Sequence, residues 1–94
     1  MDEKASVADT EIDFQAPATL RKWPSLNNER VTEAWGGIAY LVSEGTLDEC
    51  IKQFMLRTAS QHLYEIHTKP QPPLVTEVLQ PEHIVELSRL RDFL

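Results

Sequence analysis

Apolar positions recur along this chain with two different periods. Val31, Ala34, Trp35, Ile38, Leu41 and Val42 lie three or four residues apart or side by side, which is the spacing of one helical face. Ser25, Asn27 and Asn28 ahead of them are N-cap types. Gly45 behind them suits a C′ stop, because glycine enters the left-handed region without a steric penalty. The spacing predicts a first helix over residues 28–44, with Trp35, Ile38 and Leu41 in the core. Gly36-Gly37 sits in its middle and costs about 1 kcal/mol per glycine relative to alanine. The helix therefore either breaks there or is approached closely by another backbone.

Thr46-Leu47-Asp48-Glu49 is a capping box, with a hydroxyl at the N-cap and a carboxylate at N3, each satisfying the other's orphan amide. Leu47, Cys50, Ile51 and Phe54 follow on one stripe, and Asp48 and Lys52 form a favourable i,i+4 pair. A second helix is expected over 47–57, joined to the first in a tight helical corner. From residue 62 the period changes to two. Tyr64, Ile66 and Thr68 alternate as in a strand over 62–68, although Met55, Ala59, Leu63 and Ile66 also fit a continuation of the second helix. Three prolines within Lys69–Pro73 make an extended connector. Leu74–Leu79 reads as another strand, which would pair with 62–68 as a hairpin. Pro81 and Glu82 open a third helix over 81–93 with Ile84, Leu87 and Leu90 on its stripe.

The fold class expected from this pattern is α+β: a small single domain of three helices plus a short two-stranded β element. The alternative is all-α, with the second helix running on to residue 67. The length of 94 residues leaves room for one core. The stretch from Ala16 to Pro24 reads as an irregular connector tacked onto that core by Leu20 and Trp23. The formal charge is −6, and it is uneven. Asp2, Glu3, Asp9, Glu11 and Asp13 against Lys4 put −4 in the first sixteen residues, leaving −2 for the rest. Residues 1–18 are expected to be an acidic, flexible N-terminal arm and residues 19–94 the globular domain. The absence of an apolar h-region near Met1 and the single cysteine lead to an expectation of a cytoplasmic protein.

Candidate chemistry is sparse. His62 and His67 are five apart, which puts them on opposite faces of a strand and about 140° apart on a helix. With no Cys or His pair at ligand spacing, no metal and no cofactor is expected. Cys50, on the apolar stripe, is expected to be buried and inert rather than nucleophilic. No glycine-rich phosphate loop is present. Glu65 and His67 would share one face of the 62–68 strand, with Glu77 opposite across the hairpin. Such a cluster is commonly a solvated outer face. Together with Tyr40, Glu65 and His67 nevertheless form the candidate polar site, open to a small-molecule ligand or a small enzyme's substrate.

A helix-turn-helix at 28–57 is disfavoured as a nucleic-acid reader, because Asp48 and Glu49 occupy the first turn of its second helix and no basic stripe exists. Membrane attachment is disfavoured by Glu82, Glu86 and Asp92 on the third helix. Partner binding remains. Trp23, Tyr64 and Val75 are the candidate interface residues, the first two as amphipathic aromatics and the third on an exposed strand edge that a second copy could use. The sequence thus points to a non-enzymatic protein-interaction or regulatory module, self-associating or bound to another protein.

Overall fold

The computed structural model describes residues 12–93. Six strands and two helices follow one another as β1 (Pro17–Lys22), β2 (Ser25–Leu26), β3 (Glu29–Arg30), β4 (Tyr40–Thr46), α1 (Leu47–Met55), β5 (Tyr64–Thr68), β6 (Val78–Leu79) and α2 (Pro81–Phe93). Turns of 3-10 helix occupy Glu33–Trp35 and Gln61–Leu63. The fold is α+β, and among the described residues it has two α-helices rather than three. In place of a lone two-stranded element there is a four-stranded antiparallel sheet of order β4-β1-β5-β6, with β2 and β3 forming a separate hairpin.

The centre of the sheet is β1, which pairs with β4 on one side and β5 on the other. The sequence reading took this segment for a connector because prolines bracket it. Proline is tolerated at the first residue of a strand, and that is where Pro17 stands; Pro24 lies beyond the last. Ala18 and Leu20 alternate inward with the pleat and are buried. From β5 and β6, Ile66 and Leu79 join them, and both helices cover this face with Leu47, Cys50, Ile51 and Phe54 from α1 and Ile84 and Leu87 from α2. Helix and sheet bury their apolar faces against each other in two layers.

The expected first helix is absent, and the chain from 28 to 44 is extended or turning. Asn27 and Asn28 have φ of 53° and 64°, so the two residues between β2 and β3 form a hairpin turn with both central residues left-handed. That geometry matches strand twist and suits asparagine. Gly36 ends the following 3-10 turn at φ 83°. Gly37 packs so closely that a Cβ would lie 1.6 Å from the Val31 carbonyl oxygen. Two turns with special backbone demands thus override an i,i+3/i+4 apolar spacing. Gly45 stands inside β4 instead of ending a helix.

The capping box forms as expected. The Glu49 amide donates to Thr46 Oγ1 at 3.1 Å, and the Thr46 amide donates to Glu49 Oε1 at 2.9 Å. Arg91 near the end of α2 reaches Asp48 in the first turn of α1 at 2.8 Å, fastening one helix to the other. Burial opposes ionisation of Asp48, but the hydrogen bonds and charges of Lys52 and Arg91 outweigh it and hold the carboxyl below its ordinary value.

Several residues of 12–18, a stretch within the expected arm, contact the rest of the chain. Ile12 and Phe14 pack against the core, Ala16 is buried, and the Phe14 and Ala16 carbonyls accept the amides of Asp48 and Leu47. The rest of the expected arm lies outside the described residues. No helix among the described residues is long and apolar enough to cross a membrane.

Candidate functional site

Two features stand out from the packed body: a buried carboxylate with four polar partners, and a run of exposed apolar side chains. The carboxylate is Glu65 on β5, whose side chain is 6% exposed. Its Oε1 accepts from Trp23 Nε1 at 3.0 Å and Gln80 Nε2 at 3.2 Å, and Arg30 Nη1 lies 3.7 Å away. Its Oε2 accepts from His67 Nε2 at 2.6 Å. An ionised carboxylate only accepts, so Nε2 carries the hydrogen. Burial would push the Glu65 carboxyl up, but the hydrogen bonds from Trp23, His67 and Gln80, with the charge of His67, more than offset it. The carboxyl is held below its ordinary value.

The cluster joins segments far apart in sequence. Arg30 comes from the β2–β3 hairpin and also donates to the carbonyls of His62 at 2.7 Å and Tyr64 at 2.9 Å. His62 Nε2 returns a hydrogen bond of 2.6 Å to the Asn28 carbonyl. The Arg30 guanidinium stands 6.0 Å from the centre of the Trp23 ring. The hairpin is therefore clamped to the start of β5, with Glu65 as the common acceptor beneath it. Glu77 does not face Glu65 as expected. The β5–β6 register brings Gln80 to Glu65 instead, and the Glu77 carbonyl accepts the Thr68 amide.

Of the expected polar site, Glu65 and His67 are together and Tyr40 is apart. The register sets Tyr40 and Tyr64 level with Lys22 across the sheet, in a row whose side chains leave the face opposite to that of Glu65. His67 makes no hydrogen bond to a hydroxyl or thiol among the described residues; its partner there is Glu65. Of the candidate interface residues, Trp23 is half-buried by its bond to Glu65. Tyr64 is buried, its ring flanked by Lys22 and Arg57 at 5.7 and 5.4 Å. Val75 is 1% exposed and belongs to the core, bridged to Gln71 by two backbone hydrogen bonds of 2.8 and 3.0 Å. It sits in the folded connector before β6, which is only two residues long. Cys50 is buried, and burial followed by the charge of Glu49 pushes its thiol up to about 11. Among the described residues no three His, Cys, Asp or Glu side chains converge on a point that could hold a metal.

The second feature escaped sequence reasoning because Trp35, Ile38 and Leu41 were placed in the core and Tyr40 in the polar site. Trp35 is 82% exposed, Ile38 76%, Leu41 50% and Tyr40 49%. All lie within the stretch that leads from the 3-10 turn into β4. Trp35 also walls a groove of about 520 Å³ with Leu26, Asn27, Glu29, Arg30 and Val31 of the hairpin. The strand this run enters is the outermost of the sheet, paired with β1 alone among the described residues. The signal that could have found it is the Asn-Asn and Gly-Gly pairs, which break the helix that would have buried these side chains. Comparison with protein-family models, with curated proteins and with solved structures finds no match to this chain.

Proposed function

We propose that this chain is a non-enzymatic, cytoplasmic protein-interaction or regulatory module. Its docking surface is the run from Trp35 to Leu41 with the outer edge of β4. The observation that carries this reading is the exposure of four large apolar side chains on one short stretch beside an open strand edge. Single exposed apolar residues are ordinary on a folded surface; here four fall within seven residues of sequence, with Tyr40 and Leu41 on opposite faces of β4. The Glu65 cluster supports this reading in a positioning role: it ties down the hairpin whose Leu26 and Val31 share a groove with Trp35. The test is co-purification from a native extract with the wild-type chain and with Trp35→Ser/Leu41→Asp. A stoichiometric partner retained by the first and lost by the second is expected. The same companions on both, or none on either, would overturn the reading.

The groove favours a second reading, a small-ligand site, because about 520 Å³ lies within the range of ligand pockets. A thermal-shift screen of common metabolites decides it, since a ligand at a hundred times its Kd stabilises by about 2.7 kcal/mol.

A further inference from the structure

We propose that residues 24–39 form a flap that lifts from the sheet as one body, and that Arg30 is its latch. The proposal stands on the contacts of the flap alone; its bearing on docking, through the position of Trp35, rests on the interaction-module reading. The stretch leaves the sheet after β1 and returns at β4, where Lys22 and Tyr40 are paired, so its two ends lie together. It is longer than the usual connection of about 4–6 residues, and long excursions with close ends are commonly functional. None of its side chains is buried. Gly37 is its one buried residue, and none of its hydrophobic residues belongs to the core or packs against it. A segment without buried apolar contacts opens at far less cost than the whole fold.

The stretch is nevertheless bonded within itself. β2 pairs with β3, and the Val31 amide donates to the Pro24 carbonyl at 2.7 Å. The amides of Trp35 and Gly37 both donate to the Thr32 carbonyl, at 2.8 and 2.9 Å. Every residue that walls the groove of about 520 Å³ lies within it, so the groove travels with the flap. The hinges are then the Trp23–Pro24 junction and Ile38-Ala39, which separate these bonds from the pairing of β1 with β4.

Among the described residues, the hydrogen bonds and ion pairs that hold this body down run through two side chains. Arg30 Nε donates to the His62 carbonyl at 2.7 Å and Nη2 to the Tyr64 carbonyl at 2.9 Å, while Nη1 lies 3.7 Å from Glu65 Oε1. His62 Nε2 donates to the Asn28 carbonyl at 2.6 Å. The planar fork of Arg30 thus meets three acceptors at once, which the single ammonium of a lysine does not reproduce. When the flap lifts, Glu65 keeps Trp23, His67 and Gln80 as donors, so opening strands no bare buried charge. Trp35 then moves relative to Leu41, whose place is fixed by pairing with β1. The latch sets the fraction of time in which the two are presented together, and a partner's apparent affinity falls with that fraction.

The test uses the full chain with a nitroxide label on Glu29→Cys, an exposed position; the native Cys50 is buried. Paramagnetic broadening of the amides of residues 62–65 reads whether the flap is down, and hydrogen exchange reads the bonds inside it. With Arg30 in place, strong broadening is expected, and the Arg30 Nε–H is expected to exchange about tenfold or more slower than that of the exposed Arg89. Arg30→Met is expected to relieve most of the broadening while the amides of Val31, Gly37, β1 and β5 keep their exchange rates. His62→Ala is expected to act in the same direction, more weakly. Should Arg30→Met not fold, Arg30→Lys, which keeps the charge and loses the fork, is read in the same way. Undiminished broadening in the Arg30 variant, or an Arg30 Nε–H that exchanges as fast as that of Arg89, would overturn the latch. Exchange that rises together in β1, β5 and the flap would overturn the separate body. Loss of protection at Val31 and Gly37 alone would do the same, since it marks fraying. These arms read the chain by itself, so their failure leaves the module reading standing. That reading falls if the Trp35→Ser/Leu41→Asp variant keeps every companion of the wild type.

Discussion

Glu65 gathers Trp23, His67, Gln80 and Arg30 around one buried carboxylate, and the consequence is a pH dependence of known sign. Its folded pKa lies below the ordinary 4.5. The stabilisation is therefore fully present above the unfolded value, and it is lost as pH falls through the folded one. Denaturant titrations are expected to give constant stability from neutrality down to about pH 4.5, then a decline. Glu65→Gln removes the charge and, with its amide oxygen kept on the Trp23 and Gln80 N–H groups, turns an NH2 donor toward the His67 Nε2–H. It is expected to cost about 2 kcal/mol at pH 7 and to flatten the acid decline. A slope would remain from Asp48, whose carboxyl is also held low. An unchanged acid slope in the variant would remove Glu65 from its central place. The sequence showed that Glu65 and His67 share a strand face. It could not show that the face is covered, because Trp23, Arg30 and Gln80 reach it only through the fold.

At the scale of elements, local signals decided which parts could be read in advance. The capping box at Thr46 and Glu49 starts α1 where expected, Pro81 starts α2, and the alternation of Tyr64, Ile66 and Thr68 marks β5. Each is written in neighbouring residues. The central strand β1 has only Ala18 and Leu20 facing inward, and its pairing partners are distant, so alternation was too brief to identify it. Residues 28–44 failed for a different reason: a chance helical period was set against two turns that the backbone must make. Gly37→Ala tests this. Its Cβ would overlap the Val31 carbonyl, and a loss of about 2 kcal/mol or more is expected. Gly36→Ala, a left-handed position with open space around it, should cost about 1 kcal/mol. A gain of about 1 kcal/mol at both would be expected of a helix and would contradict the turn. Thr46→Ala should cost about 1 kcal/mol through the lost cap, read from the shift of the unfolding midpoint.

For the molecule as a whole, the helices cover one face of the sheet and leave the β4 side with Trp35, Ile38 and Leu41 in solvent. Substitution of exposed residues should leave stability within about 0.5 kcal/mol of wild type. Leu20→Ala in the centre of the sheet should cost about 2–5 kcal/mol. Trp35→Ser and Leu41→Asp are thus expected to change binding without changing the melting temperature, the reverse of what the first-helix reading required.

The most direct measurement is photo-cross-linking in a native extract from a reactive side chain placed at Leu41, with one at Leu56 as the control. Both positions are exposed, but Leu56 caps α1, on another element. A discrete cross-linked species from position 41 and none from position 56 is the expected result. Equal labelling from both positions, or none from position 41, would contradict a docking surface at β4.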